Sequence, residues 1–237
     1  MDVVYALTRN YYHKLYPSIK SLIEHNKDAE IYILAEDDEV PNLPCKAHVI
    51  NVSDQDYFDK EDINYKNWFT YINLLKVCYP SLLPDLHKVI HLDVDTVILG
   101  DISPMLEPLD GHVWVAAVPE YNGTYNPFAY KRYELYFNMG VAAIDLDAMR
   151  RDNAEPYLVS YLKMVKQPWA DQDAWNLFGL AMNKFALLNT KYNENRMTYI
   201  SKDPIIVHYC SHHDWYESSN VPRHEYLLPY LNSQKSQ

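Results

Sequence analysis

Asp93 and Asp95 stand two residues apart in HLDVDTVIL, with Val89, Ile90 and Leu92 before them and Val97, Ile98 and Leu99 after. In an extended segment that spacing sends both carboxylates from one face. Two carboxylates held together in an apolar frame repel each other, and each resists leaving water. A divalent cation between them removes both penalties. Hard oxygen ligands suit Mg²⁺ or Mn²⁺, which keep open positions for phosphate oxygens. The same acids also read as strand-end caps or surface groups, and spacing alone leaves both open. His208, closing the apolar run PIIVHYC, is either a structural histidine or a third ligand.

Composition narrows the partners. The 237-residue chain carries a net charge of −11, which repels nucleic-acid backbones and anionic lipid surfaces. Broad nucleic-acid binding is therefore not expected, although a nucleotide-sized ligand held through a cation stays compatible. With only 5 Gly, the chain has neither GxGxxG nor GxxxxGK[ST], so a glycine-rich phosphate loop is excluded. Tyr is abundant, at 22 against 6 Phe; such rings fill half-buried positions or pack on sugar faces. No apolar run approaches the roughly 20 residues that span a bilayer, and MDVVYALTRN lacks the pattern of a secretory signal. Cys45, Cys78 and Cys210 are odd in number and widely spaced, as expected of reduced thiols in a cytoplasmic protein.

The elements that must position these residues alternate. DVVYAL, EIYILAED, KAHVINV and HKVIHLDVDTVILGD read as strands, the last as the strongest buried-strand signal. Between them, NYYHKLYPSIKSLIEHN has Leu15, Ile19, Leu22 and Ile23 at helical spacing, and TYINLLKVCYPSLLP reads as a helix stopped by Pro80 and Pro84. HVWVAAV, YFNMGVAAIDL and PIIVHYC are further strands. RDNAEPYLVSYLKMVKQ and DQDAWNLFGLAMNK are helical, and the tail after Ser211 is loop with one helix. This order predicts an α/β fold with a mostly parallel sheet covered on both faces. In such sheets ligands sit beyond the carboxyl ends of the strands.

Taken in order, VVYALTRNYY, LLKV, HLDVDTVIL, YFNMGV, DQDAWN and VHYCSHHDW resemble retaining glycosyltransferase family 8, which includes glycogenins and bacterial galactosyl- and glucosyltransferases. Each motif is weak, but the ordered set from Val3 to Trp215 is specific. The resemblance implies a GT-A fold: one domain over 1–237, with a Rossmann-like nucleotide half to about residue 100 and a smaller mixed-sheet acceptor lobe after it. It implies a UDP-sugar donor and Mn²⁺ or Mg²⁺ on Asp93, Asp95 and His208, with Val94 between the acids. Ala6, Leu7, Thr8, Asn10 and Tyr11 would hold uridine, with Thr8 standing where relatives often carry Asp. Lys76 would reach the donor, although on residue type alone it is equally a surface lysine.

By the same resemblance, Asn138 touches the donor sugar and Gly140 lets backbone approach closely. Met139 replaces a small residue, a departure expected to narrow the pocket or alter sugar choice. Asp171 would bind donor hydroxyls, and Gln172 would sit near the anomeric carbon; taken alone, Asp171 also reads as a helix N-cap. The end motif has Ser211 for the family's Gly and lacks its usual Lys, whose place falls to either His213 or Asp214; by the resemblance Ser211 and His213 would line the diphosphate there. The implied reaction moves glucose or galactose from UDP-glucose or UDP-galactose to a glycan, glycolipid or protein-linked sugar, with retention. A metal-dependent sugar nucleotidyltransferase and a UDP-sugar-binding module with little turnover are the alternatives.

Overall fold

The computed structural model describes residues 1–66, 70–120, 135–195, 201–210 and 214–235. The first strand, β1 (Asp2–Ala6), is followed by a 3-10 helix (Arg9–Lys14) and α1 (Tyr16–His25). The single helix expected over this stretch is split at Leu15. Pro17 lies in the first turn of α1 and has no N–H to continue the earlier turns. Strands β2 (Glu30–Ala35) and β3 (His48–Asn51) come next. The expected second helix is also broken, into α2 (Tyr71–Leu74), a 3-10 turn (Leu75–Cys78) and α3 (Tyr79–Leu82), with Pro80 opening the last piece.

The segment read as one long strand is two. Strand β4 (Lys88–Leu92) belongs to the main sheet, and β5 (Thr96–Ile98) belongs to a second, two-stranded sheet. Residues 93–95 make the turn between them. Strands β6 (Val115–Pro119) and β7 (Phe137–Asp145) lead to α4 (Leu146–Arg151), α5 (Ala154–Met164) and α6 (Asp171–Ala181). The chain then forms β8 (Phe185–Leu187), which sequence reading does not find, β9 (Ile206–His208) and α7 (His224–Lys235).

The main sheet has seven strands in the order β3-β2-β1-β4-β7-β6-β8. Its first four pair in parallel, β7 runs antiparallel to both β4 and β6, and β8 is parallel to β6. The pleat sends alternate side chains to opposite faces. Val4, Val89, Ile144 and Trp175 fill one core, whereas Val3, Tyr5, Ile90, Leu92 and Val141 fill the other with Leu15 and Ile19 of α1. A third cluster packs Val97 and Val207, from β5 and β9, on Trp215 and on Leu227 of α7. Burial of both faces explains why these strands read as continuous apolar runs. The architecture is the expected mixed α/β fold with a mostly parallel sheet and a small second sheet.

Candidate active site at the strand ends

The 93–95 turn is pinned from two sides. Asp93 N–H donates to Gly140 O at 2.7 Å, continuing the β4–β7 ladder, and Tyr209 N–H donates to Asp95 O at 2.8 Å, continuing the β5–β9 pair. Thr96 Oγ1 closes the turn onto Asp93 O at 2.9 Å. The segment between the acids is thus a bridge from one sheet to the other, not the extended strand of the sequence reading. It still brings both carboxylates together, and β9 delivers His208 to them.

His208 Nε2 lies 3.2 Å from Asp95 Oδ1 and 3.9 Å from Asp93 Oδ2. One ligand atom from each of the three side chains falls within 4.8 Å of the others. His208 is 1% exposed, yet its Nε2 makes no hydrogen bond. Gly140 forms the wall here, because a Cβ on it would come within 2.5 Å of Asp93 Oδ2 and collide with the His208 ring. An orphaned imidazole nitrogen aimed at two carboxylates fits a divalent cation such as Mn²⁺. Burial pushes the His208 pKa down, but Asp95 and then Asp93 outweigh it and leave it raised.

The other Asp93 oxygen is taken. Lys76 Nζ donates to Oδ1 at 2.8 Å, and His91 Nε2 reaches the same oxygen at 2.9 Å. Lys76 is 4% exposed, which rules out the surface-lysine reading. Burial would lower its pKa, but Asp93, Asp171 and Asp95 together raise it. Burial would raise Asp93, yet Lys76 and His91 hold it far below the ordinary carboxylate range. Asp171 is buried at the start of α6, and its Oδ2 has no hydrogen-bond partner. It is not the N-cap: Ala170 precedes the helix with φ 48° and ψ −124°, and no side chain caps it. Burial pushes the Asp171 carboxyl up to about 7 against the pull of Lys76.

Gln172 Oε1 accepts from Met139 N–H at 2.9 Å, and Asn176 bridges Phe137 N–H and O at 2.7 and 2.9 Å. These contacts clamp α6 onto β7. The alternation of β7 then sorts its residues. Asn138 and Gly140 face the acids, whereas Met139 packs in the apolar core with Phe137 and Trp175. The expectation that Met139 narrows the pocket is therefore corrected: a period of 2 turns it to the opposite face.

At the neighbouring strand end, Val4 is in register with His91, so Ala6 lies beside the Asp93 turn. Leu7 N–H donates to Leu34 O, Thr8 is buried with an unpartnered Oγ1, and Asn10 and Tyr11 are exposed on the 3-10 helix. Val94 is half-buried between the two acids. Ser211 and His213 lie outside the described residues.

Four site residues escape the sequence reading. His91 sits in the quoted strand and is visible there as a lone imidazole in an apolar run. Tyr79 donates to its Nδ1 across 2.9 Å. Glu120 follows β6, and the carboxyl-end rule would have found it; Asn138 Nδ2 donates to its Oε1 at 2.8 Å. Asn193 accepts from His208 Nδ1 at 3.0 Å but comes from a segment without periodicity or motif.

The sequence profile described as glycosyl transferase family 8 matches residues 2–214. A putative glycosyltransferase of Haemophilus influenzae is 23% identical over 89% of this chain and 71% of its own length. Glycosyltransferase GlyF of Streptococcus pneumoniae is 23% identical over 94% of this chain, which spans only 58% of that relative. Among solved structures, the galactosyltransferase LgtC in complex with donor and acceptor sugar analogs superposes with a TM-score of 0.75 at 19% identity, covering 98% of this chain and 96% of that one. GlyE of Streptococcus pneumoniae gives 0.67 at 20% identity over 99% and 63%. The fold is that of LgtC, GT-A. With a match over nearly the whole sequence, the chain belongs to glycosyltransferase family 8.

Proposed function

We propose that the chain is a retaining, UDP-sugar-dependent hexosyltransferase that uses Mn²⁺ or Mg²⁺ held by Asp93, Asp95 and His208. Residues to about 100 hold the nucleotide, and those from about 101 hold the sugar and acceptor. The observation that carries this reading is the buried, unpartnered His208 Nε2 aimed at two carboxylates beside a walled-in Gly140. A bound divalent cation supplies Lewis-acid stabilisation of the diphosphate leaving group.

The protein's own groups do the rest by positioning. Ala6, Leu7, Thr8, Asn10 and Tyr11 receive uridine, with the exposed Tyr11 ring free to stack on the base. Lys76 keeps Asp93 ionised and adds positive charge near the diphosphate in an acidic chain. Asp171, with one oxygen lacking a partner, accepts a donor hydroxyl, and Asn138 faces the same sugar. Gln172 has its oxygen committed to Met139 N–H, so it acts as a fixed dipole and not as a nucleophile. The acceptor hydroxyl then attacks the face that UDP vacates, and a diphosphate oxygen receives its proton.

The donor is glucose or galactose on UDP, and the acceptor is a glycan, glycolipid or protein-linked sugar. No helix among the described residues is long and apolar enough to cross a membrane. The free thiols of Cys45 and Cys78 support a cytoplasmic setting. The test is UDP release from UDP-glucose and UDP-galactose with Mn²⁺, with EDTA, and in Asp95→Ala. Release should depend on the cation and fall by at least ~10²-fold in the variant. Equal release in all three arms sinks the reading.

A further inference from the structure

Two side-chain amides lie between Gly140 and His208, and their orientation is forced from one end. Gly140 N–H donates to Asn138 at 3.0 Å. A backbone N–H only donates, so the atom it meets is the amide oxygen. Asn138 then turns its NH₂ to the Glu120 carboxylate, which agrees. The same Asn138 oxygen meets Asn193 at 2.9 Å, so Asn193 must present its NH₂ there. Its oxygen is left facing His208 Nδ1 at 3.0 Å, and Asn195 Nδ2 at 3.2 Å points to the same atom. Because an amide oxygen only accepts, Nδ1 carries the proton. In the neutral ring the lone pair is therefore on Nε2, the atom turned towards Asp95 and Asp93.

We infer that Asn193 is a positioning residue that joins the cation pocket to the donor-sugar pocket: one amide fixes the His208 tautomer with one end and the orientation of Asn138 with the other. The inference rests on the proposed function for what each pocket holds. Asn193 and Asn138 are 0% and 7% exposed, so water does not replace either bond freely. Hydrogen bonds behind a metal-binding histidine set its tautomer and direction, and their loss typically weakens metal binding ~10–100-fold. Here the same group also holds a residue facing the sugar, so a change at either pocket reaches the other through one side chain.

The first measurement needs no variant. Nitrogen-15 NMR of the imidazoles in the metal-free full chain, at a pH where the rings are neutral, should show His208 as the Nδ1–H tautomer. An Nε2–H ring overturns the inference. The second is Mn²⁺ affinity by electron paramagnetic resonance. Asn193→Ala should bind Mn²⁺ ~10–100-fold more weakly. Asn193→Asp keeps an acceptor for His208 but sets a carboxylate against the Asn138 oxygen. It should hold Mn²⁺ within about threefold while its affinity for UDP-glucose or UDP-galactose falls towards that for UDP, because only the sugar side is disturbed. A variant that keeps the wild-type melting temperature but shows neither change overturns the proposal. If Asn193→Ala does not fold, the wild-type tautomer and the Asp variant decide. A wild-type chain with the Nδ1–H ring and no Mn²⁺ uptake overturns the functional reading instead and leaves the tautomer assignment standing.

Discussion

His91 and His208 are both 1% exposed, and both lie within 4 Å of Asp93, yet their surroundings drive them apart. His91 Nε2 meets a carboxylate oxygen, so it donates, and Nδ1 accepts from Tyr79 OH. Both its nitrogens are used inside the protein. Burial, helped by Lys76, lowers its pKa to about 4 and keeps the ring neutral. His208 has the opposite tautomer, with Nδ1–H given to Asn193 and Nε2 left open. Asp95 and Asp93 raise its pKa. Under the proposed function, residue type and burial alone would not make a ligand. The unspent nitrogen would, and the neighbouring amide is proposed to decide which nitrogen that is.

The largest expected effect tests this contrast directly. His208→Ala should weaken Mn²⁺ binding by at least ~10²-fold and reduce UDP release by a similar or larger factor. His91→Gln should leave Mn²⁺ affinity within about threefold and lower stability by ~1–3 kcal/mol, because Tyr79 OH and Asp93 Oδ1 lose a buried partner. Urea unfolding and resonance titration of the two variants separate the roles. Equal loss of Mn²⁺ binding in both would break the comparison.

A second test sharpens it from the charged side, read as the part of a stability loss that Mn²⁺ restores. Lys76→Met removes the buried cation beside Asp93 and leaves an under-compensated acid next to Asp171. Breaking a buried pair from one side costs ~3–5 kcal/mol. Mn²⁺ should restore part of that by supplying charge to Asp93, whereas it should restore little in His91→Gln. Urea midpoints with and without Mn²⁺ read the difference.

The smallest effect is on pH dependence in the metal-free protein. Asp171 binds its proton more tightly when folded, so its contribution falls as pH rises from about 4 to about 7. For His208, also raised, stability is full below about 6.5 and is lost as pH climbs through its folded value. His91 has the reverse sign: its contribution is present above about 6.5 and is lost as pH falls towards about 4. These contributions oppose each other below about 6.5 and reinforce a decline above it. Asp171→Asn should flatten the decline between about pH 4 and about 7, with an upper bound on the order of 4 kcal/mol from the shift in its carboxyl, and leave the His208 decline in place. Thermal melts from acid to alkaline pH, with EDTA, measure the slopes.

Much of the fold was legible because its strands are buried on both faces. Apolar runs such as DVVYAL and EIYILA have no other stable home. Helix breaks at Pro17 and Pro80 follow from a missing N–H and were readable in principle. The three-residue β8 was not, since Phe185–Leu187 gains its strand character only from pairing with β6. Within the site, the Asp93–Asp95 spacing and the carboxyl-end rule pointed to the place where the structure gathers the two acids and His208. They did so through the wrong local geometry, because a turn between two sheets replaced the extended strand.

The sequence by itself determined most of the order of elements, a charge balance that disfavours broad nucleic-acid binding while leaving a cation-held ligand compatible, and the residue types at the strand ends. Those depend on local periodicity and composition, which a chain carries before it folds. Only the tertiary structure decided that Lys76 is buried on Asp93, that Met139 turns into the core, that Asp171 lacks a partner, and that His208 rather than His91 has a nitrogen to offer. These are set by contacts between segments from about a dozen to more than a hundred residues apart, where hydrogen-bond direction and burial act and sequence spacing does not.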